Sequence, residues 1–334
     1  MSFRLLTTLL VLMLPIAAQA EQFELPPEGV DVIGALTVVI ARADDTLLDI
    51  ARRHGLGYED IVRANPDVDT WLPGEGTEVV LPTRYVLPPV ARKGVVLNLA
   101  EYRMYYFPEP KKGKPAVVMT YPMSIGRMDW ETPLGMTRVV AKAKNPTWYP
   151  PDSVRAEHAA DGDPLPRIVP PGPKNPLGEY AMRLGLPGYL IHGTNRPAGV
   201  GMRVTHGCIR MFPEDIRFLF GLVSVNTPVR IINEPVKVGW DGDNLVMEVH
   251  RALDKPPMES DSGEITNEVL PEEDLVQPER NVLTALTEQF VAATNTRAGE
   301  LDWEQAEKSL ERADGIPVLV GRTIKNAATS AAFE

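Results

Sequence analysis

With 334 residues, 44% of them hydrophobic and 24% charged, the chain has the make-up of a globular protein long enough for two or three domains. The formal charge is −11, and Leu253 to Glu334 carries 17 acidic against 7 basic residues, a net of −10, so the body of the protein is nearly neutral. That balance excludes a basic nucleic-acid-binding face, and the single cysteine, Cys208, excludes an internal disulfide framework.

The first twenty residues read as a signal peptide. Arg4 supplies the positive end, Leu5 to Ala18 the apolar stretch, and Ala18-Gln19-Ala20 a cleavage site before Glu21. The apolar run is shorter than the roughly eighteen residues of a membrane span, so no span is expected. No cysteine stands at the cleavage point to take a lipid. A lone Cys in an exported protein forms a bridge between chains or stays as a free reactive thiol.

Thr37 to Pro82 reads as a βααβ unit. Val38 to Ala41 is a short strand. Asp45-Thr46 opens a helix from Leu47 to His54 that Gly55 ends, Tyr58 to Ala64 is a second helix closed by Asn65-Pro66, and Glu78 to Leu81 returns as a strand. These pieces, with Leu72-Pro73-Gly74 and Val80-Leu81-Pro82, resemble a LysM module. The resemblance implies binding of glycans that contain N-acetylglucosamine. Asp44 stands where that family usually has Gly, and the aromatic near the first strand is missing.

Thr83 to Arg92 is a linker or a first strand, and from Gly94 the pattern becomes strand-like. Val96, Leu99, Met104 and Tyr106, then Ala116 to Tyr121 and Met136 to Lys142, form short apolar runs punctuated by Gly126 and Pro133. Asn145 to Pro176 is rich in proline, and a loop that long inside a domain is usually functional or disordered.

Tyr189 to Ile191 is a strand that delivers His192 to a cleft edge, and Met202 to Val204 and Ile209 to Met211 bracket Cys208. His206 lies two residues before Cys208, and His192 sixteen before it. A thiol becomes an effective nucleophile when an imidazole takes or shares its proton. Gly193, Gly199, Gly201 and Gly207 let backbone approach a reacting carbonyl, and Arg196, Arg203 and Arg210 argue against a packed-core role for this stretch. A lone Cys is otherwise most often a small buried hydrophobe. Zinc is the rival use of His192, His206 and Cys208, but no convincing fourth ligand and no CxxC or HxxxH spacing accompanies them. No metal and no cofactor is expected. Pro213-Glu214-Asp215 opens a helix to about Leu222, with Ile216, Leu219 and Phe220 facing inward, and Val229 to Ile232 is the expected last strand of this domain. Leu245 to Val249 reads as a short addition, with His250 structural.

Asp254 to Glu279 reads as an acidic solvated linker. Residues 280–313 carry apolar positions at helical spacing (Val282, Leu283, Leu286 and Phe290, then Leu301, Ala306 and Leu310) and are expected to be a helical tail with no chemistry of its own. The fold class expected is therefore mainly β: a β-rich domain over 94–235, a small βααβ unit over 37–82, and helices at the end.

His192-Gly193-Thr194-Asn195 followed by Thr205-His206-Gly207-Cys208-Ile209-Arg210 resembles the signature of the L,D-transpeptidases, the YkuD-domain enzymes of the bacterial cell wall. Thr132-Pro133-Leu134-Gly135 and Pro173-Lys174-Asn175-Pro176-Leu177-Gly178 resemble further family segments, and Arg210 stands where other branches have Asn. The resemblance covers roughly Gly94 to Pro235. It implies a periplasmic enzyme in which Cys208 attacks a peptidoglycan tetrapeptide stem, His192 is the base and Gly193 helps to orient it. It further implies that the amides of His206, Gly207 and Cys208 form an oxyanion hole, and that Asn195, Arg210 and, more weakly, Arg203 bind substrate. The proline-rich loop would cover the cleft. The partners implied are peptidoglycan stem peptides and glycan. Three acceptors stay open: a second diaminopimelate amine, giving a 3-3 cross-link; the C-terminal lysine of an outer-membrane lipoprotein, giving a tether; or water, giving an L,D-carboxypeptidase. A peptidoglycan-binding protein without catalysis, working through LysM, is the alternative of another class.

Overall fold

A computed structural model describes residues 21–127, 132–253 and 282–324, so the expected signal peptide and acidic linker lie outside the described residues. At the start, β1 (Glu21–Glu24) and β2 (Val32–Gly34) precede the βααβ unit: β3 (Thr37–Ile40), α1 (Leu47–Arg53), α2 (Tyr58–Ala64) and β4 (Glu78–Leu81). The strands β3 and β4 pair antiparallel, and Leu47, Ile50, Leu56, Ile61 and Val79 close a small core beneath them. Thr46 caps α1: its hydroxyl accepts from the Asp49 amide while the Asp49 carboxylate accepts from the Thr46 amide. Residues 83–92 supply β5 (Arg84–Val86), which pairs with β2.

The main sheet has nine strands. After β5 the chain runs through β6 (Gly94–Asn98), β7 (Arg103–Phe107), β8 (Val117–Pro122), the short β9 (Ile125–Gly126), β10 (Gly135–Lys144), α3 (Asp152–Ala160), β11 (Tyr180–Leu184), β12 (Leu190–His192), β13 (Arg203–Thr205), β14 (Ile209–Arg210), α4 (Pro213–Leu222) and β15 (Pro228–Ile232). The order across the sheet is β1-β8-β7-β6-β15-β10-β11-β12-β14, with β13 and β9 paired separately. Every residue of β6 and β7 is buried, because both faces are covered. Val95, Leu97 and Met104 face the core that holds Ile216 and Leu219 of α4, while Val96, Tyr105 and Phe107 face Ile33 and Tyr85 on the other side. The sheet thus recruits β1, which pairs with β8, from the far side of the βααβ unit.

Beyond β15 the chain forms β16 (Val236–Asp241), β17 (Asn244–Val249), α5 (Val282–Thr294), β18 (Gly299–Leu301), α6 (Trp303–Arg312) and β19 (Val318–Thr323). The expected helical tail is corrected here. Its two helices pack on a four-stranded sheet, β16-β17-β19-β18, around Trp240, Met247, Leu286, Ala306 and Val320. The helical period is strong enough to read locally, whereas β18 is three residues long and β19 gains its apolar partners only on folding. With six helices among the described residues, the fold class is mixed α/β and strand-rich rather than mainly β. No helix among the described residues is long and apolar enough to cross a membrane.

Candidate active site

The pairing of β12 with β14 builds the site. The two strands run parallel with Ile191 opposite Ile209 and His192 opposite Arg210. Side chains alternate along a strand, so Ile191 and Ile209 point into the core while His192 and Arg210 turn to the other face. Cys208, two residues before Arg210, returns to that face, and all three line one cavity of about 880 Å³. A tight turn presents the sulfur. The Thr205 hydroxyl donates to the Cys208 carbonyl at 2.6 Å, the buried Thr132 hydroxyl donates to the Gly207 carbonyl at 2.8 Å, and Gly207 has φ +88°, where a Cβ would be strained.

His192 is buried, and its Nδ1 lies 2.6 Å from the Gly193 carbonyl oxygen. A carbonyl only accepts, so Nδ1 carries the proton and Nε2 is left as the basic nitrogen. Burial, reinforced by the Arg210 charge and opposed by the Gly193 carbonyl, pushes His192 down to about 4. Burial also pushes the Cys208 thiol up, against weaker opposing pulls from the Leu190 backbone and Arg210. The sulfur donates to the Gly188 carbonyl at 3.5 Å. Both groups line the one cavity, and in each of them burial favours the uncharged form. Such a pair is competent for acyl transfer by a base-activated nucleophile.

The remaining predicted residues divide. Asn195 lines the cavity and donates weakly to the Pro173 carbonyl at 3.4 Å. Arg210 lies over the 3-10 turn Pro197–Gly199, and its Nε is buried with no hydrogen-bond partner among the described residues. Burial and the neighbouring Arg196 charge lower its pKa. Arg203 is not brought to the cavity, since it directs Nε to the Gly126 carbonyl at 3.1 Å; Arg196, given no role from the sequence, does line it. His206 turns its Nε2 to Glu157 at 2.8 Å.

The resemblance implies a proline-rich loop over the cleft; the helix within it, the tie that closes it and the brace from α2 were not legible in the sequence. The proline-rich segment contains α3, and Trp148, Tyr149, Val154 and Leu165 from this segment wall the cavity. Buried Asn175 donates to the Pro146 carbonyl at 2.8 Å and so ties the segment's two ends together. The first amides of α2, from Tyr58 and Glu59, donate to the Val200 and Gly201 carbonyls at 3.0 and 3.3 Å, pinning the loop between His192 and Cys208. The Thr132 and Asn175 segments had been singled out by resemblance, but nothing local marked Glu157 or Tyr58.

A thiol, a tautomer-fixed imidazole and a guanidinium line one cavity, which are the groups that cysteine acyl transfer uses. The family model described as the L,D-transpeptidase catalytic domain (YkuD) matches residues 92–231. The chain is 37% identical to Probable L,D-transpeptidase ErfK/SrfK of Escherichia coli K12, over 90% of this chain and 91% of that one. It is 40% identical to Probable L,D-transpeptidase YbiS of the same organism, over 74% and 81% of the two chains. It is also 40% identical to Probable L,D-transpeptidase YcfS, over 72% and 76%. The chain belongs to the L,D-transpeptidase family.

Proposed function

We propose that this is an exported, periplasmic peptidoglycan L,D-transpeptidase with Cys208 as nucleophile. Cys208 attacks the carbonyl of the L-centre of diaminopimelate at position three of a tetrapeptide stem. His192 Nε2 takes the thiol proton, the amides of His206, Gly207 and Cys208 receive the oxyanion, and His192 returns the proton to the departing amine of D-alanine. The thioester is then taken by an acceptor amine, from a second diaminopimelate or a lipoprotein C-terminal lysine, and the thiol is regenerated. Arg210, with Asn195, binds the stem, and Arg203 is left a supporting role outside the cavity. Residues 1–20 are the signal peptide, 94–235 the catalytic segment, and 37–82 a LysM-like module that holds the glycan. The β3-α1-α2-β4 order and the exposed Trp71 and Leu72 support the last reading.

One observation carries the proposal: Cys208 and His192 share their cavity with Lys174, Arg183, Arg196 and Arg210 against a single described acid, Asp163. A stem peptide rich in carboxylates fits that wall. Incubating the protein with disaccharide-tetrapeptide, with and without a lipoprotein C-terminal peptide, and weighing the products is the test. Loss of D-alanine with cross-linked or tethered product is expected, abolished in Cys208→Ala. Release of D-alanine to water alone would make the enzyme a carboxypeptidase, and no release would overturn the assignment.

A further inference from the structure

The proline-rich flap of residues 145–176 is joined to the nucleophile turn at one polar clamp. Glu157, on the one helix of that flap, has its Oε1 2.6 Å from an Arg127 Nη2 donor and its Oε2 2.8 Å from His206 Nε2. Both partners belong to the framework of the turn. The Arg127 amide donates to the Thr205 carbonyl at 2.8 Å, and His206 is the residue before Gly207-Cys208. Apolar anchoring of the helix is slight, since Val154 is its one buried residue. A carboxylate that accepts from a guanidinium and an imidazole together is held in one geometry, because charge-assisted bonds are short and directional. Arg127 foremost, then His206, keeps the Glu157 carboxyl below the usual carboxylate range.

We infer that Glu157 is a positioning residue that couples closure of the flap to the geometry of the nucleophile: with the helix seated, it fixes the His206 ring and with it the Gly207-Cys208 turn. The consequence is reciprocal, as any coupling free energy must be. Loosening the flap disorders the turn, and cutting the clamp at His206 loosens the flap. The inference rests on the reading of Cys208 as the acylated atom. The structural half of it, a helix held by His206, stands on the two distances alone.

The experiment uses the full mature chain and a carbapenem as acylating probe, followed by intact-mass kinetics, with hydrogen exchange of the 152–160 amides measured alongside. Glu157→Gln keeps the shape and removes the charge. Its acylation rate at saturating probe is expected to fall roughly three- to tenfold with half-saturation little changed, the effect of one partly exposed ion pair. Exchange in the helix should rise by a similar factor. His206→Gln should raise exchange in the same helix, and the double variant should be no looser than Glu157→Gln alone, as shared partners require. Unchanged exchange in Glu157→Gln, additive effects in the double variant, or looser exchange with an unaltered saturating rate would overturn the coupling. Absence of a Cys208 adduct in the unsubstituted protein would instead overturn the proposed function, and the exchange measurements would still decide whether His206 holds the flap.

Discussion

At the scale of single residues, the site is governed by desolvation. Taking His192 out of water makes its cation costly, and the Arg210 charge on the same strand face adds to that cost. A base held at about 4 stays unprotonated far below the ordinary value of 6.5. Acylation should therefore keep its His192-dependent rate as pH falls through 6.5 and lose it only near 4. Alkylation of the resting sulfur should rise only on the alkaline side, because burial holds Cys208 above an ordinary thiol. Measuring both profiles with iodoacetamide and a carbapenem checks this; a reactive plateau at about pH 5 to 6, as in stored thiolate–imidazolium pairs, would contradict it. The sign for stability follows from linkage. Between 6.5 and about 4 the unfolded chain binds a proton at His192 that the folded chain refuses, so stability falls as pH drops through that window.

At the scale of elements, α2 acts as a brace for the active-site loop. Gly201 has φ +88°, and a Cβ there would stand 2.3 Å from the Tyr58 nitrogen and 2.5 Å from the Gly57 Cα. Gly201→Ala must both strain the backbone and push the βααβ unit off the loop, and should cost more than about 1 kcal/mol. Gly199→Ala is the matched control, since its Cβ would meet only side chains at 3.6 and 3.8 Å; its effect should stay within about 0.5 kcal/mol. Denaturant titration of both variants measures the difference, and turnover should follow stability only in Gly201→Ala. The carbonyl of Gly199 accepts from the Ser124 hydroxyl at 2.7 Å, so this loop is held from two sides.

At the scale of the molecule, three units meet in a buried network of charges. Lys237 Nζ lies 2.9 Å from Glu101 and 2.8 Å from Glu248, all without exposed side chain, and His250 Nε2 lies 2.6 Å from Glu248. Arg103, equally buried, reaches Asp60 of α2 at 2.6 Å and stacks over Tyr85 at 4.4 Å. Tyr105 donates to Glu101, which links the two halves. Burial alone would raise Glu101, but the charges of Lys237, His250 and Arg103 hold it below the usual range. Glu101, Glu248 and His250 form the one group of metal-ligand type among the described residues, and the Lys237 ammonium already supplies the positive charge within it. Lys237→Met should lower stability by about 3 to 5 kcal/mol, because two carboxylates are left buried without their cation. Thermal unfolding would show the loss, and a melting point equal to that of the unsubstituted protein would mean that water replaces the ammonium.

The sequence by itself determined what local spacing dictates. The limits of α2 and β4 and the start of α4 at Pro213 were legible, because capping and turn chemistry act within a few residues. It also placed two helices after residue 280, from their apolar period. Only the tertiary structure decided the chemical state of the site residues. The protonation of His192 depends on water excluded by strands distant in the chain, and its tautomer on the Gly193 carbonyl. The choice of Arg196 over Arg203 for the cavity depends on how β13 pairs with β9. Glu157 and β19 carry no local signal, since the partners that give each its role, Arg127 and His206 for the one and β17 and β18 for the other, are brought to it only by the fold. Spacing fixes an element's type and a motif's composition; desolvation, ion pairing and strand partnership are set by contacts that exist only once the chain has closed on itself.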